Sequence, residues 1–209
     1  ALPEGKYLTV YEVQLEGIAR DSDPIVRTLI GNTALDMGIT LALEIPAGET
    51  RQFVIRYGDE LVYDLAFVKG WNLVSLPIEP LDPAVDAVLD DGQGGTIHEG
   101  AVQAWGGTVY VEATEMHACD GYWVYATAAR VLLVPGTPVV QEELVLREGW
   151  NLCGPTRLCP LPASSRALGN TWLWVPDTLR YQSTDFLWPG RGHWIRADVQ
   201  TTVPLGDGR

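Results

Sequence analysis

Gly70-Trp71-Asn72-Leu73 returns as Gly149-Trp150-Asn151-Leu152, and each copy opens a segment with the same landmarks in the same order. A tandem repeat limits the possible folds more than any other feature of the chain, because a unit copied at such a period buries its apolar face best against a neighbour. In the first copy the tetrapeptide leads to Val74-Ser75-Leu76-Pro77, a Gly-rich stretch over 90–95, then Trp105, Tyr110 and Gly121-Tyr122-Trp123-Val124. In the second, Trp174, Tyr181 and Gly192-His193-Trp194-Ile195 take the matching places. The offset is 79 residues at the start (149 minus 70) and 71 at the end (192 minus 121), so the second copy lacks about eight residues where the first carries its Gly-rich loop. The copies are expected to pack together about a local twofold axis, or to lie end to end.

Eight Trp, 22 Gly and 14 Pro against two Met favour many short strands and tight turns over long helices. The fold class expected is mainly β, in sandwich-like modules: an N-terminal strand-rich unit over 1–64, β repeat one over 65–138 and β repeat two over 139–209. In the first unit, strands are read at 7–18, 25–30, 39–45 and 52–57, with room for a short helix between Thr33 and Met37. Each repeat is expected to carry one short helix. In repeat one Asp82-Pro83 reads as N-cap and first helical residue, with Val85, Val88 and Leu89 on one face; in repeat two the helix falls over 162–168. Gly106-Gly107 reads as a two-residue hairpin turn between strands at 102–105 and 108–113.

A net charge of −13, spread along the chain, argues against nucleic-acid partners and anionic lipid. No stretch approaches the roughly 20 apolar residues that span a bilayer, so membrane insertion is not expected. The start, Ala1-Leu2-Pro3-Glu4-Gly5, lacks the regions of a signal peptide, as in a mature or excised piece. Cys153 and Cys159 are close enough in sequence to close a small disulfide loop, and Cys119 could instead pair with either.

The Gly-Trp-Asn-Leu-Val-Ser-Leu-Pro segment (70–77), the distal Trp105 and Tyr110, and Gly121-Tyr122-Trp123-Val124 resemble a tandem repeat of bacterial extracellular and cell-surface multidomain proteins. The likeness covers about 65–209. Repeat two departs from it at Cys153-Gly154-Pro155-Thr156 and at His193. The resemblance implies a secreted or cell-surface, non-catalytic β module with a structural or adhesive role, whose partners are other modules or subunits of a surface assembly. It maps no catalytic or binding residue onto this chain.

Tryptophans that recur in both copies (Trp71 and Trp150, Trp105 and Trp174, Trp123 and Trp194) read as core anchors, each burying on the order of 150–250 Å². Trp172 and Trp188 occur in one copy only. Trp172 shares a strand face with Trp174, which leaves Trp188, beside Pro189-Gly190, as the better exposed candidate. With Gln182, Asp185, Arg191 and His193 supplying hydrogen bonds, Trp188 is the candidate glycan site, the alternative function being a carbohydrate-binding module. No cofactor is expected. Asp21, Asp23, Asp90 and Asp91 suggest calcium, but neither pair fits a calcium loop and solvated turn carboxylates are the simpler reading. His117, Cys119 and Asp120 are the densest group of potential ligands or nucleophiles, yet the Cys119 position is Gly190 in repeat two. No nucleophile elbow, phosphate loop or dinucleotide fingerprint is present, so no catalytic or metal residue is assigned.

Overall fold

The computed structural model describes the backbone of residues 7–14, 26–34, 52–58, 61–141, 143–160 and 168–205, with side chains over 61–141, 143–160 and 171–205. The chain is mainly β, in several antiparallel sheets. Strands β1 (Tyr7–Gln14), β2 (Val26–Ala34) and β3 (Gln52–Gly58) form one sheet in the order β2-β1-β3. The strand expected over 39–45 lies outside the described residues, as does most of the helix expected from Thr33, whose first two residues instead end β2. Strand β4 (Leu61–Phe67) crosses the boundary expected at 64. It pairs with a later strand because its buried face, with Leu61, Tyr63, Leu65 and Phe67, belongs to the core of the segment that follows.

That segment continues through β5 (Gly70–Ser75), β6 (Ile78–Pro80), α1 (Val85–Val88), β7 (Gln103–Trp105), β8 (Tyr110–Glu112), β9 (Gly121–Ala126) and β10 (Arg130–Pro138). It makes two sheets, β4-β10-β6 and β5-β9-β7-β8. Alternation decides their packing. Val74, Tyr122, Val124 and Ala126 turn one face of the second sheet toward Leu65, Phe67, Leu132 and Val134 of the first, with Leu76, Leu89 and Met116 closing the core.

The remainder comprises β11 (Glu143–Leu146), β12 (Gly149–Cys153), β13 (Cys159–Pro160), β14 (Leu168–Val175), β15 (Arg180–Ser183), β16 (Phe186–Leu187), β17 (His193–Ala197) and β18 (Thr201–Pro204). Its four-stranded sheet has the order β12-β17-β14-β15, matching β5-β9-β7-β8 strand for strand. Pairs β11-β18 and β13-β16 supply Leu144, Leu146, Cys159, Leu187 and Val203 to a second core against Ile195 and Ala197.

The repeated tetrapeptide has the same local structure twice. Gly70 and Gly149 have φ of +103° and +94°, a turn into the strand that glycine adopts at little cost. Asn72 Oδ1 accepts from the Val68 N–H at 3.0 Å while its Nδ2 donates to the Val68 and Gly70 carbonyls. Asn151 does the same with Arg147 and Gly149. The asparagine stitches the strand to the turn before it.

Three local expectations change. The helix is one turn, beginning after Ala84; Asp82 Oδ1 accepts the Ala84 N–H in a side-chain turn and does not cap the helix. The counterpart expected over 162–168 lies outside the described residues except for Leu168, which begins a strand. The hairpin loop spans four residues, since Trp105 pairs with Tyr110 and the Gly106 N–H bonds Val109 O; in the second copy the ladder runs one pair beyond Trp174 and Tyr181, to Val175 with Arg180, so that loop is also four residues, 176–179. The offset at these tryptophans is therefore 69 (174 minus 105).

The contacts between the two four-stranded sheets come in matched pairs. Backbone bridges join Val74 to Arg191 and Asp120 to Cys153. The Ser75 N–H bonds Gly190 O and the Gly154 N–H bonds Cys119 O. Gly121 lies against Leu152 and Gly192 against Leu73, so closely that a Cβ on Gly121 would stand 2.5 Å from Leu152 Cγ. Gly121→Ala should cost about 1–3 kcal/mol by overpacking, read as a lowered urea midpoint. In combination with Leu152→Ala, the loss should fall short of the summed single losses by at least ~0.5 kcal/mol.

Candidate functional site

Residues directly opposite each other across a strand pair share a face. Leu73, Trp123 and Gln103 therefore form one row, with Trp71 and Tyr125 in the next and Trp105 and Tyr110 beyond. Leu152, Trp194 and Trp172 form the matching row of the second sheet, flanked by Trp150 on one side and by Trp174 and Tyr181 on the other. These two faces meet. Leu73, Leu152 and Trp194 are buried at the seam, with Trp105, Trp123, Trp172 and Trp174 half-buried around them.

The ring contacts are reciprocal. Trp105 stands edge-on to Trp194 at 5.1 Å, and Trp174 to Trp123 at 5.0 Å. Tyr110 packs on Trp105 and Tyr181 on Trp174, both at 5.3 Å. Trp71 lies 6.0 Å from Trp123, and Trp150 lies 6.1 Å from Trp194. The Trp105 indole N–H donates to Trp150 O and the Trp174 indole N–H to Trp71 O, each at 2.9 Å. The Trp123 indole N–H donates to the Tyr110 hydroxyl at 3.1 Å.

The recurrent tryptophans are thus not the buried anchors that their recurrence suggested. Only Trp194 is buried, while Trp71 and Trp150 remain 44% and 42% exposed. A second sheet rather than a closed core covers this face, and it leaves the outer rings open. Trp71, Gln103, Tyr110, Trp123 and Trp174 line an aromatic cleft of about 380 Å³. Sequence reasoning passed over this cleft because it assigned every repeated Trp to a core. The signal that marks it is the replacement of Trp172 by Gln103 at the matching position.

The expected Trp188 site is dispersed. Trp188 is half-buried, packs near Phe186 at 6.4 Å, and donates its backbone N–H to His193 Nε2 at 3.2 Å. His193 is fully buried, out of reach of a surface ligand, because it faces the second core in the row Gln182, Leu173, His193, Cys153. Its Nδ1 meets no partner among the described residues. Arg191 lies at the seam opposite Val74. Asp185 is exposed, and Gln182 lines a shallow depression of about 430 Å³ with Val175, Thr178, Arg180 and Tyr181.

All three cysteines are free thiols in this structure. Cys159 belongs to the second core and Cys153 packs against it, from strands of different sheets. Burial pushes the thiols up to about 11 at Cys119, where Asp120 and Glu79 add to it, about 12 at Cys153 and about 11 at Cys159. They are poor nucleophiles.

His117 sits between Glu79 Oε1 at 2.8 Å and Glu115 Oε2 at 3.2 Å. The Glu79 hydrogen bond raises its pKa, against the opposing effect of burial and with help from Glu115. Burial would raise the Glu79 carboxyl, but hydrogen bonds from His117 and the Ala118 N–H hold it below its ordinary value. Burial raises Asp120, which His117 offsets in part. Asp91 Oδ1 accepts the Gln93 and Gly95 N–H groups, and Asp90 Oδ1 accepts that of Gly92, so both carboxylates organise the Gly-rich loop. Asp21 and Asp23 lie outside the described residues. Among the described residues no group of three or more His, Cys, Asp or Glu is arranged to hold a metal ion. No described helix is long and apolar enough to cross a membrane.

Comparison of the chain with protein-family models, curated proteins and solved structures finds no match in any of the three.

The two histidines give opposite pH signatures. Burial, reinforced by Arg191, drives His193 down to about 3, so between pH 6.5 and 3 the unfolded chain binds the extra proton and stability falls as pH falls. His117 is raised, so its contribution is present below pH 6.5 and is lost as pH rises through its folded-state pKa. An NMR titration should show His117 titrating above 6.5 and His193 silent down to about pH 4.

Proposed function

We propose that the chain is a non-catalytic β module of a bacterial surface protein, exported from the cell, with a structural or adhesive role toward other modules or subunits of a surface assembly. In this reading 65–138 and 139–209 are copies of one sandwich-like unit, paired about a local twofold axis. The observation that carries it is the reciprocal docking of two sheets of identical strand order, with indole–carbonyl bonds and edge-on ring pairs that recur on both sides of the seam. Such pairing gives a compact building block. The treatment of reactive groups supports the same reading: the thiols are raised by burial, His193 is sealed in a core, and His117 is tied to two carboxylates.

The exposed aromatic cleft favours a second reading, a carbohydrate-binding module, whose site would be that cleft rather than Trp188. Antibody against this chain should label intact cells that produce the full-length protein. Labelling that appears only after lysis would overturn the surface assignment.

A further inference from the structure

We propose that the cleft at the tryptophan seam binds the ring faces of a neutral polysaccharide, and that each chain has one such site. The proposal rests on the interaction-module reading and names its ligand.

The cleft offers ring faces and little else. The indole N–H groups of Trp123 and Trp174 are spent on the Tyr110 hydroxyl and the Trp71 carbonyl. What remains open is aromatic surface, and a π face attracts the weakly positive C–H bonds of a pyranose while the sugar hydroxyls stay in water at the mouth. Beside the Tyr110 hydroxyl, which already accepts from Trp123, the lining holds one amide, Gln103, with only a long 3.4 Å bond from Nε2 to the Ala101 carbonyl. An amide so placed supplies an acceptor and a donor to adjacent hydroxyls. Few polar groups in an apolar cleft is the usual make-up of a small-molecule site, and about 380 Å³ suits a short saccharide segment.

Charge narrows the class. The lining has no charged side chain, Glu112 stands beside Gln103 in the same row, and the chain carries −13 overall, so phosphate- or carboxylate-bearing polymers are repelled. A proline-rich peptide docks along an aromatic-lined groove as an extended helix. Here Trp71 and Trp123 stand at 90° and Trp123 and Trp174 at 78°, which makes a notch for rings rather than a track.

The single site follows from one substitution between the copies. Gln103 stands opposite Trp123 as Trp172 stands opposite Trp194. Trp172, half-buried and packed into the seam, occupies in the second copy the position that Gln103 leaves open in the first. Gln103→Trp therefore closes the cleft with a side chain that the fold already carries at the matching place. Trp172→Gln should open a second cleft.

The test is affinity electrophoresis and calorimetry of the whole chain with hydroxyethyl cellulose, xylan, galactomannan, soluble starch and chitin oligosaccharides, beside a proline-rich peptide and polyphosphate. At least one neutral glycan should bind, at one site per chain and with a shift in Trp fluorescence. Gln103→Trp should weaken that binding at least tenfold while the thermal midpoint holds, and Trp172→Gln should raise the stoichiometry toward two. Gln103→Leu, similar in size and lacking the amide, is the second variant and should also weaken binding. Failure of every neutral glycan to bind, preference for the peptide or polyphosphate, or binding indifferent to both Gln103 variants would overturn the proposal. Cell-surface labelling would be unchanged by any of these outcomes, so the glycan assignment falls separately from the surface-module reading.

Discussion

Two hydrogen bonds between indole and backbone hold the geometry on which the rest depends. Trp105 donates to the Trp150 carbonyl and Trp174 to that of Trp71, so each sheet grips the first turn of the other's repeated tetrapeptide. An edge-to-face ring pair adds about 0.5–1.5 kcal/mol beyond its buried area, and here such pairs occur in matched sets on both sides of the seam. Glycine is required at Gly121 and Gly192 because a leucine of the opposite sheet occupies the space of a side chain. The seam thus constrains sequence in both segments at once. The second hairpin is longer than the first by one pair, Val175 with Arg180, beyond the seam tryptophan.

Much of this organisation was legible in the residues. The repeated Gly-Trp-Asn-Leu marked the two corresponding segments, and its turn and asparagine bonds recur in both because they are local and need only the chain itself. The β character followed from turn-rich composition. What the sequence concealed was which face each tryptophan serves. Alternation places Trp71 and Trp123 on the face opposite Val74 and Val124, but does not say whether that face meets solvent, a core or another sheet. Recurrence pointed to a core; the outcome was a partly open seam.

The candidate sites diverged for the same reason. Trp188 and His193 were grouped by closeness in sequence, whereas His193 projects into a core and Trp188 reaches it through its backbone N–H. Cys153 and Cys159, six positions apart, sit on strands of different sheets. Gln103 drew no notice because a glutamine in a strand carries no motif. Its meaning comes from alignment with Trp172, which requires the strand register.

Self-complementary surfaces have a consequence for ancestry and for folding. A lone segment with this aromatic face would be its own best partner, forming a twofold dimer whose stability depends on concentration. Joining two such segments in one chain makes the encounter intramolecular, at an effective concentration set by the connecting residues rather than by expression level. It also releases the halves from identity. In a homodimer residue 103 and its mate would have to be the same; within one chain the matching positions are free to differ, as Gln103 and Trp172 do.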